Sequence, residues 1–317
     1  MSLISFVIPC YRSEQTITDV VKEIDDTMEK VSGYSHEIIL VNDCSPDGTI
    51  EVLKDLVASH NNITAIDFAR NFGQHSALMA GLRQSKGDVV ICLDDDGQTP
   101  ADECPLLLKA LEDGADVAYA RYTKKRHSPF RNFGSYVNEE MARIMLNKPK
   151  DLYISSYFAA KRYIVDDMIR YENSYPYVIG LVLRSTNNIV NVDVHHRART
   201  IGTSGYTLKK LLGLWMNGFT SFSVKPLRIT TFIGCLSAIA GFIYGIVIIV
   251  QKFVLPDRQV GFASLASLLV FFGGMIMIML GLIGEYVGRM YISMNNSPQY
   301  VIKQNYLPSD KEGDYKE

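Results

Sequence analysis

The chain has 317 residues, 47% of them hydrophobic, with 32 Lys and Arg against 34 Asp and Glu. That length holds one full α/β domain and something more, while a net charge of −2 and a pI near 6.3 exclude the broad basic field of a nucleic-acid-binding protein. The five cysteines, Cys10, Cys44, Cys92, Cys104 and Cys235, include no Cys-x-x-Cys pair, which fits free thiols in a reducing cytoplasm rather than a disulfide framework.

The sequence opens at once on the strand-like LISFVIPCY, without a basic segment, apolar h-region and cleavage site, so no signal peptide is expected. An amphipathic helix is predicted from Glu14 to Lys30, then a strand HEIILVND ending in Asn42 and Asp43. The turn CSPDGT carries a helix start signal, with the helix running to about His60. NITAIDF reads as the third strand, RNFGQ as a loop, HSALMAGLRQS as a helix and DVVICL as the fourth strand. Strands alternating with helices imply a parallel sheet whose ligands bind outside the strands' carboxyl ends. Asp43, Arg70 and the run Asp94, Asp95, Asp96 all fall at such ends.

The aspartate run is the sharpest chemical signal. A buried apolar strand delivers three carboxylates to a sheet edge, and Gly97 turns the chain after them. Like charges packed together there call for a cation, and hard divalent ions such as Mg²⁺ or Mn²⁺ take one or two carboxylates together with ligand phosphates. The cluster therefore points to a metal that holds a nucleoside diphosphate.

Beyond it, YTKKRHSPFRNF is basic and turn-rich, the pattern of a lid over a phosphate-bearing substrate or of a solvated surface loop. After a helix, NNIVNVDVHH reads as a strand. His195 and His196 at its end point to opposite faces, which weighs against a metal site. His75 opens a helix, a placement that favours packing over catalysis. Gly202, Ser204 and Tyr206 either shape an acceptor loop or form the turn into the next segment. That segment, LKKLLGLWMNGFTSFS, mixes Leu, Trp215 and Phe with lysines and reads as an amphipathic helix in a membrane interface.

Composition then changes sharply. Residues 229–250 and 261–284 contain no charge, and each stretch is long enough to cross a hydrocarbon core of about 30 Å. Lys209, Lys210, Lys225 and Arg228 precede the first stretch and Arg289 follows the second, against Lys252 and Arg258 between them. The positive-inside rule puts both ends of this hairpin in the cytoplasm. Gly241, Gly245, Gly273, Gly274 and Gly281 serve either helix contacts in a homo-oligomer or packing of the hairpin against itself. The tail after Arg289 is polar and expected to be loosely held, with QYVI able to add a short edge strand.

With VIPCY, VNDCSPDGT, RNFGQHSALMAG, LDDDGQTP, VHHRARTIGTSGY and GEYVGRMY in this order, the chain resembles the family 2 glycosyltransferases that act on polyprenyl phosphates. Within them it is similar to the two-helix bacterial members, the bactoprenol glucosyltransferases and undecaprenyl-phosphate formamido-arabinose transferases, and more distantly to dolichyl-phosphate mannosyltransferases. The resemblance implies an α/β fold: a nucleotide-sugar-binding glycosyltransferase A-type domain with a mostly parallel sheet, plus an interface helix and a two-helix transmembrane hairpin. The implied boundaries are 1–206 for the cytoplasmic domain, 207–227 for the interface segment, 228–288 for the hairpin and 289–317 for a cytoplasmic tail.

The resemblance also implies roles. Pro9, Tyr11 and Asp43 fall where the family holds the nucleoside, Asp43 accepting a base N–H, and Arg70 lies near base and ribose. Asp94 and Asp96 fall on the Asp-x-Asp that binds Mg²⁺ or Mn²⁺ and diphosphate, Asp95 replaces the usual small middle residue, and Gln98 faces the sugar. Arg131, Ser135 and Arg199 match positions facing the acceptor phosphate; with Asp96, the two arginines are the expected catalytic residues. The usual Tyr-Asn-Glu is here Tyr11, Arg12, Ser13, so the acidic contact is displaced or taken by Glu14.

The expected reaction is inverting, metal-dependent transfer from a nucleotide sugar, with UDP favoured by the resemblance, to polyprenyl phosphate at the bacterial cytoplasmic membrane. A lipid phosphate is already ionised at neutral pH, so the enzyme needs arginines to place it rather than a general base. A hairpin is too small to conduct a sugar, which implies a separate flippase and a downstream glycosyltransferase as partners. Two competitors stand beside this reading. A processive glycan synthase requires Gln-x-x-Arg-Trp, and the only tryptophan, Trp215, lacks that context. A noncatalytic nucleotide-sugar-binding partner of a flippase would have lost its metal carboxylates, and both are present.

Overall fold

The computed structural model describes residues 2–122, 143, 148–195, 225–254, 262–295 and 297–308. The chain divides into two compact units, one formed by residues 1–212 with 296–317 and the other by residues 213–295.

The first unit is built on an eight-stranded sheet in the order β7-β5-β6-β4-β1-β2-β3-β8. Its strands are β1 (Ser2–Cys10), β2 (Tyr34–Asn42), β3 (Ile63–Phe68), β4 (Val89–Cys92), β5 (Val117–Tyr122), β6 (Phe158–Lys161), β7 (Ile189–Val194) and β8 (Ile302–Tyr306). β1 pairs in parallel with both β2 and β4, β2 with β3, and β5 with β7, whereas β6 and β8 are antiparallel to their neighbours. The mostly parallel α/β sheet expected from the alternation is therefore present. Because β2 and β3 lie on one side of β1 and β4 on the other, the strand order reverses between β1 and β4. Such a switch point opens a crevice beyond the strands' carboxyl ends.

Helices cover both faces of the sheet. In α1 (Ile17–Met28) the buried residues Ile17, Val20, Val21, Ile24 and Met28 follow the spacing of one helical face. They pack with Phe6, Ile8 and Leu40 of the sheet, Leu53 of α2 (Thr49–Ser59) and Leu107 of α4 (Cys104–Glu112) in one hydrophobic core. On the opposite face lies α3 (Gln74–Gln84), so close at Gly81 that an added Cβ would stand 2.3 Å from Val7 Cγ1. Two short helices, α5 (Arg162–Ile169) and α6 (Val178–Ser185), lie beside α3. Pro9 is tolerated inside a central strand because the β1–β4 register ends at Val7, so its missing N–H interrupts no rung on that side.

The tail corrects one expectation. Rather than hanging loosely, it returns to the sheet: β8 lies antiparallel on β3, three residues beyond the start proposed from QYVI. Gln299 is buried and donates to the carbonyls of Tyr171 and Asn173 at 2.7 and 2.9 Å. Tyr300 stacks on Phe68 with centroids 5.1 Å apart and accepts from Arg83 at 3.0 Å.

The second unit holds α7 (Lys225–Val254) and α8 (Phe262–Met294), 30 and 33 residues long. α7 runs past both ends of the first uncharged stretch and α8 past the C-terminal end of the second, and both are long and apolar enough to cross a membrane. Their apolar side chains face outward, Phe242, Phe253, Met277 and Ile278 each being at least 70% exposed. Gly234 lies 3.3 Å, measured from an added Cβ, from Met279 Cε of the other helix, while Gly241, Gly273, Gly274 and Gly281 have no such neighbour within 4 Å among the described residues. The interface segment read at 207–227 lies outside the described residues up to Lys225, where α7 begins.

Candidate active site

The aspartate run leaves β4 at the switch point. Asp94 and Ser156 come together by register: Cys92 pairs with Phe158 in the antiparallel β4–β6 ladder, and two residues further on each strand Ser156 stands opposite Asp94. The Ser156 hydroxyl donates to Asp94 Oδ2, and the Gln74 side-chain amide donates to Asp94 Oδ1 at 2.9 Å. Gln74 is the first residue of α3, preceded by Gly73 at φ +90°, a backbone angle that favours glycine. Sequence reasoning misses both Gln74 and Ser156. Gln74 has a positional signal, a polar residue opening a helix after a strand end; Ser156 has none, because its partner is 62 residues away.

Burial raises the Asp94 carboxyl to about 6, with the Ser156 and Gln74 bonds pulling it down and the charges of Asp96 and Asp95 pushing it up. Burial likewise raises Asp95, opposed by bonds from Ser13 and the Tyr11 N–H. Asp96 accepts from the Gln98 backbone N–H at 3.0 Å, across Gly97 at φ +68°. Asp95 differs from its two neighbours in turning toward the end of β1, where its Oδ2 accepts from the Tyr11 N–H at 3.0 Å and from the Ser13 hydroxyl.

Asp43, at the end of β2, is 4% exposed. Its two oxygens accept from the Phe72 and Gly73 N–H groups at 2.6 and 2.8 Å, which ties down the entry to α3. Burial raises its carboxyl and these two bonds lower it. Asn71 donates to the Asp43 carbonyl at 3.1 Å. Arg70 is exposed and lies over the Phe72 ring at 4.6 Å. Tyr11 is 46% exposed, while Pro9 is buried within β1. Glu14, the alternative for the displaced acidic contact, instead accepts from the Gly48 N–H at 3.1 Å, next to the start of α2. The carboxylate that touches the Tyr11–Ser13 turn is Asp95.

The structure thus gathers Tyr11, Asp43, Arg70 and Asp94 to Gln98 at one end of the sheet. Arg131, Ser135, Arg199 and His196 lie outside the described residues. The backbone N–H and the Nδ1 of His195 both meet the Glu103 carboxylate, at 2.9 and 2.5 Å. His75 packs edge-on against Tyr177, and desolvation lowers it to about 4, so it is neutral at physiological pH.

Among the described residues no group of three or more His, Cys, Asp or Glu side chains is placed to hold a metal ion. Two neighbouring carboxylates, one of them buried and raised chiefly by desolvation and further by the charges beside it, fit a hard divalent ion that completes its shell with phosphate oxygens and water. Asp94 and Asp96 have the chemistry to hold one.

Comparison with known proteins agrees with this geometry. A family model described as glycosyl transferase family 2 matches residues 5–169, and one described as a GtrB C-terminal hairpin matches residues 225–290. The chain is 31% identical over 304 residues to an undecaprenyl-phosphate 4-deoxy-4-formamido-L-arabinose transferase of Proteus mirabilis, covering 95% of this chain and 93% of that protein. It is 30% identical over 305 residues to the uncharacterized glycosyltransferase YkcC of Bacillus subtilis, covering 95% and 94% of the two chains. In fold it is similar to glucosyl-3-phosphoglycerate synthase of Mycobacterium tuberculosis, solved with Mn²⁺, UDP-glucose and phosphoglyceric acid. That match has a TM-score of 0.52 at 19% identity and covers 70% of this chain and 78% of that one.

Proposed function

The chain belongs to glycosyltransferase family 2, and from that premise we propose that it transfers one sugar from a nucleoside diphosphate sugar, with UDP as the nucleotide, to undecaprenyl phosphate, inverting the anomeric centre. The observation that carries this reading is the union, in one chain, of a family 2 domain and a C-terminal hairpin whose two helices are long and apolar enough to cross a membrane. A membrane anchor brings an enzyme to the bilayer in which polyprenyl phosphates reside, and use of a soluble acceptor would gain little from one. The name of the Proteus mirabilis relative, which states undecaprenyl phosphate, supports the same acceptor.

An ionised lipid phosphate needs placement rather than deprotonation before it attacks the anomeric carbon. That placement is assigned to Arg131, Ser135 and Arg199. Asp94 and Asp96 are assigned to a Mg²⁺ or Mn²⁺ ion, which when bound supplies neutralisation of the charge developing on the leaving diphosphate. Tyr11 offers an exposed ring to the base, Asp43 keeps lone pairs for a base N–H beyond the two backbone bonds it accepts, Arg70 lies on the ribose side, and Gln98 faces the sugar.

Both ends of the hairpin are assigned to the cytoplasmic side of the inner membrane. The return of β8 to the sheet supports placing the two ends on one side, because a hydrogen-bonded sheet cannot be divided by a bilayer. Exposure of the product on the far side then requires a flippase.

The test incubates detergent-purified protein with undecaprenyl phosphate, Mg²⁺ or Mn²⁺ and a panel of nucleotide sugars, following lipids by mass spectrometry. The expected product is a lipid-monophosphate sugar from one donor. Nucleotide binding without product from any donor would overturn the transferase reading for this acceptor.

A further inference from the structure

The turn after β1 spends three consecutive backbone N–H groups on side chains from three other segments. Tyr11 N–H goes to Asp95 at 3.0 Å, Arg12 N–H to Ser45 Oγ at 3.2 Å and Ser13 N–H to Thr49 Oγ1 at 2.9 Å. Arg12 lies in the left-handed region at φ +61°, and so does Cys44 at φ +53° in the neighbouring turn after β2. Non-glycine residues hold such angles only where their surroundings over-determine them, and here the three side-chain acceptors do so. Ser45 and Thr49 belong to the β2–α2 turn and the start of α2. Asp95 alone belongs to the loop that carries Asp94 and Asp96.

Asp95 also accepts from the Ser13 hydroxyl, and Ser13 is only 1% exposed. Its Oδ2 therefore takes two donors from one turn across the switch point. The exposed Tyr11 ring is fixed at one end of this link and the Asp94–Asp96 carboxylates at the other.

We propose that Asp95 is a positioning residue that couples the nucleoside end of the donor site, through Tyr11 and Ser13, to its diphosphate end. The proposal rests on the donor-site reading above. It makes Asp95 a brace between two loops, so its loss weakens nucleotide binding whether or not a divalent ion is present, whereas loss of Asp96 removes the part that the ion adds.

The test is calorimetric titration of the full chain in detergent with UDP, with and without Mn²⁺, for wild type, Asp95→Ala, Asp95→Asn, Ser13→Ala, the Asp95→Ala/Ser13→Ala double variant and Asp96→Asn. Asp95→Ala is expected to weaken UDP about tenfold in both conditions, the size of one net hydrogen bond. Asp95→Asn, which keeps a neutral acceptor, recovers part of that loss. The double variant is expected to be no weaker than Asp95→Ala, because the two changes break one link. Thermal melting checks that each variant folds; if Asp95→Ala does not, Ser13→Ala and Asp95→Asn address the same bond from both sides.

Loss confined to the Mn²⁺-dependent part, as in Asp96→Asn, would make Asp95 a metal ligand and overturn the proposal. So would unchanged UDP affinity, or additive losses in the double variant. If wild type binds GDP, CDP or dTDP but not UDP, the uridine assignment fails and the same variants decide the brace on the nucleotide that binds. If wild type binds none of the four, the donor-site reading fails and the brace falls with it.

Discussion

Burial and two neighbouring aspartates hold the Asp94 carboxyl near 6, above its ordinary value of 3.8. Between about pH 4 and 6 the folded protein then binds more protons at this group than the unfolded chain does. Its contribution to stability is present at low pH and declines as pH rises through that window. His75, lowered from 6.5 to about 4, acts in the opposite sense: its neutral form is favoured by the fold, and stability is lost as pH falls through the same region. Melting of the wild type alone cannot separate the two, so the difference between wild type and Asp94→Asn is the informative quantity. If Asp94 holds the metal as proposed, binding needs its ionised carboxylate, and Mn²⁺-dependent UDP affinity should fall by up to about tenfold per pH unit below 6. The Asp94→Asn variant should lack that fall; titrations from pH 5 to 8 check it. Asp96→Asn is expected to abolish turnover while leaving the protein folded and membrane-bound, and near-normal activity would remove Asp96 from the metal assignment.

At the scale of elements, two contacts decide how the site is held. Gly81 lets α3 approach β1, and α3 carries Gln74 to Asp94. Gly81→Ala would drive a methyl into Val7 Cγ1, 2.3 Å away, with Val41 Cγ2 at 3.4 Å, and such overpacking costs about 1–3 kcal/mol. Denaturant unfolding should show that loss, and the displaced helix should also weaken UDP binding. The second contact is β8 on β3. Tyr300 stacks on Phe68, which meets Phe72 edge-on at 5.7 Å, and the Phe72 N–H bonds Asp43. The segment that follows α8 is thus packed through two rings onto the loop that Asp43 organises. Tyr300→Ala removes a stacked pair and the Arg83 hydrogen bond, together worth about 2 kcal/mol. A smaller loss in chemical unfolding than about 1 kcal/mol would show that β8 is not anchored by this ring.

For the molecule as a whole, the hairpin is an insertion: the chain leaves the first unit before α7 and rejoins it at β8. The proposed same-side topology predicts that single cysteines introduced by Thr207→Cys and Ser309→Cys, in a background without exposed thiols, react alike in sealed inner-membrane vesicles. A membrane-impermeant maleimide should label both in inside-out vesicles and neither in right-side-out ones; opposite labelling of the two would break the hairpin topology.

The parallel sheet, the strand ends bearing Asp43 and Asp94, and the two apolar helices were legible in the sequence because each depends on a local pattern. Period-two or continuous apolar runs build strands, a one-sided stripe builds α1, and an uncharged stretch of roughly 22 residues builds a span. The antiparallel β6, the anchoring of β8, Ser156 beside Asp94 and the turning of Asp95 toward Tyr11 were not legible. Their partners lie 62 residues apart for Ser156 and Asp94, and 84 for Tyr11 and Asp95. Which of three adjacent carboxylates meets Ser156 and Gln74 and which turns toward Tyr11 depends on strand register across the switch point, and register is set by the packing of the whole sheet rather than by any segment alone.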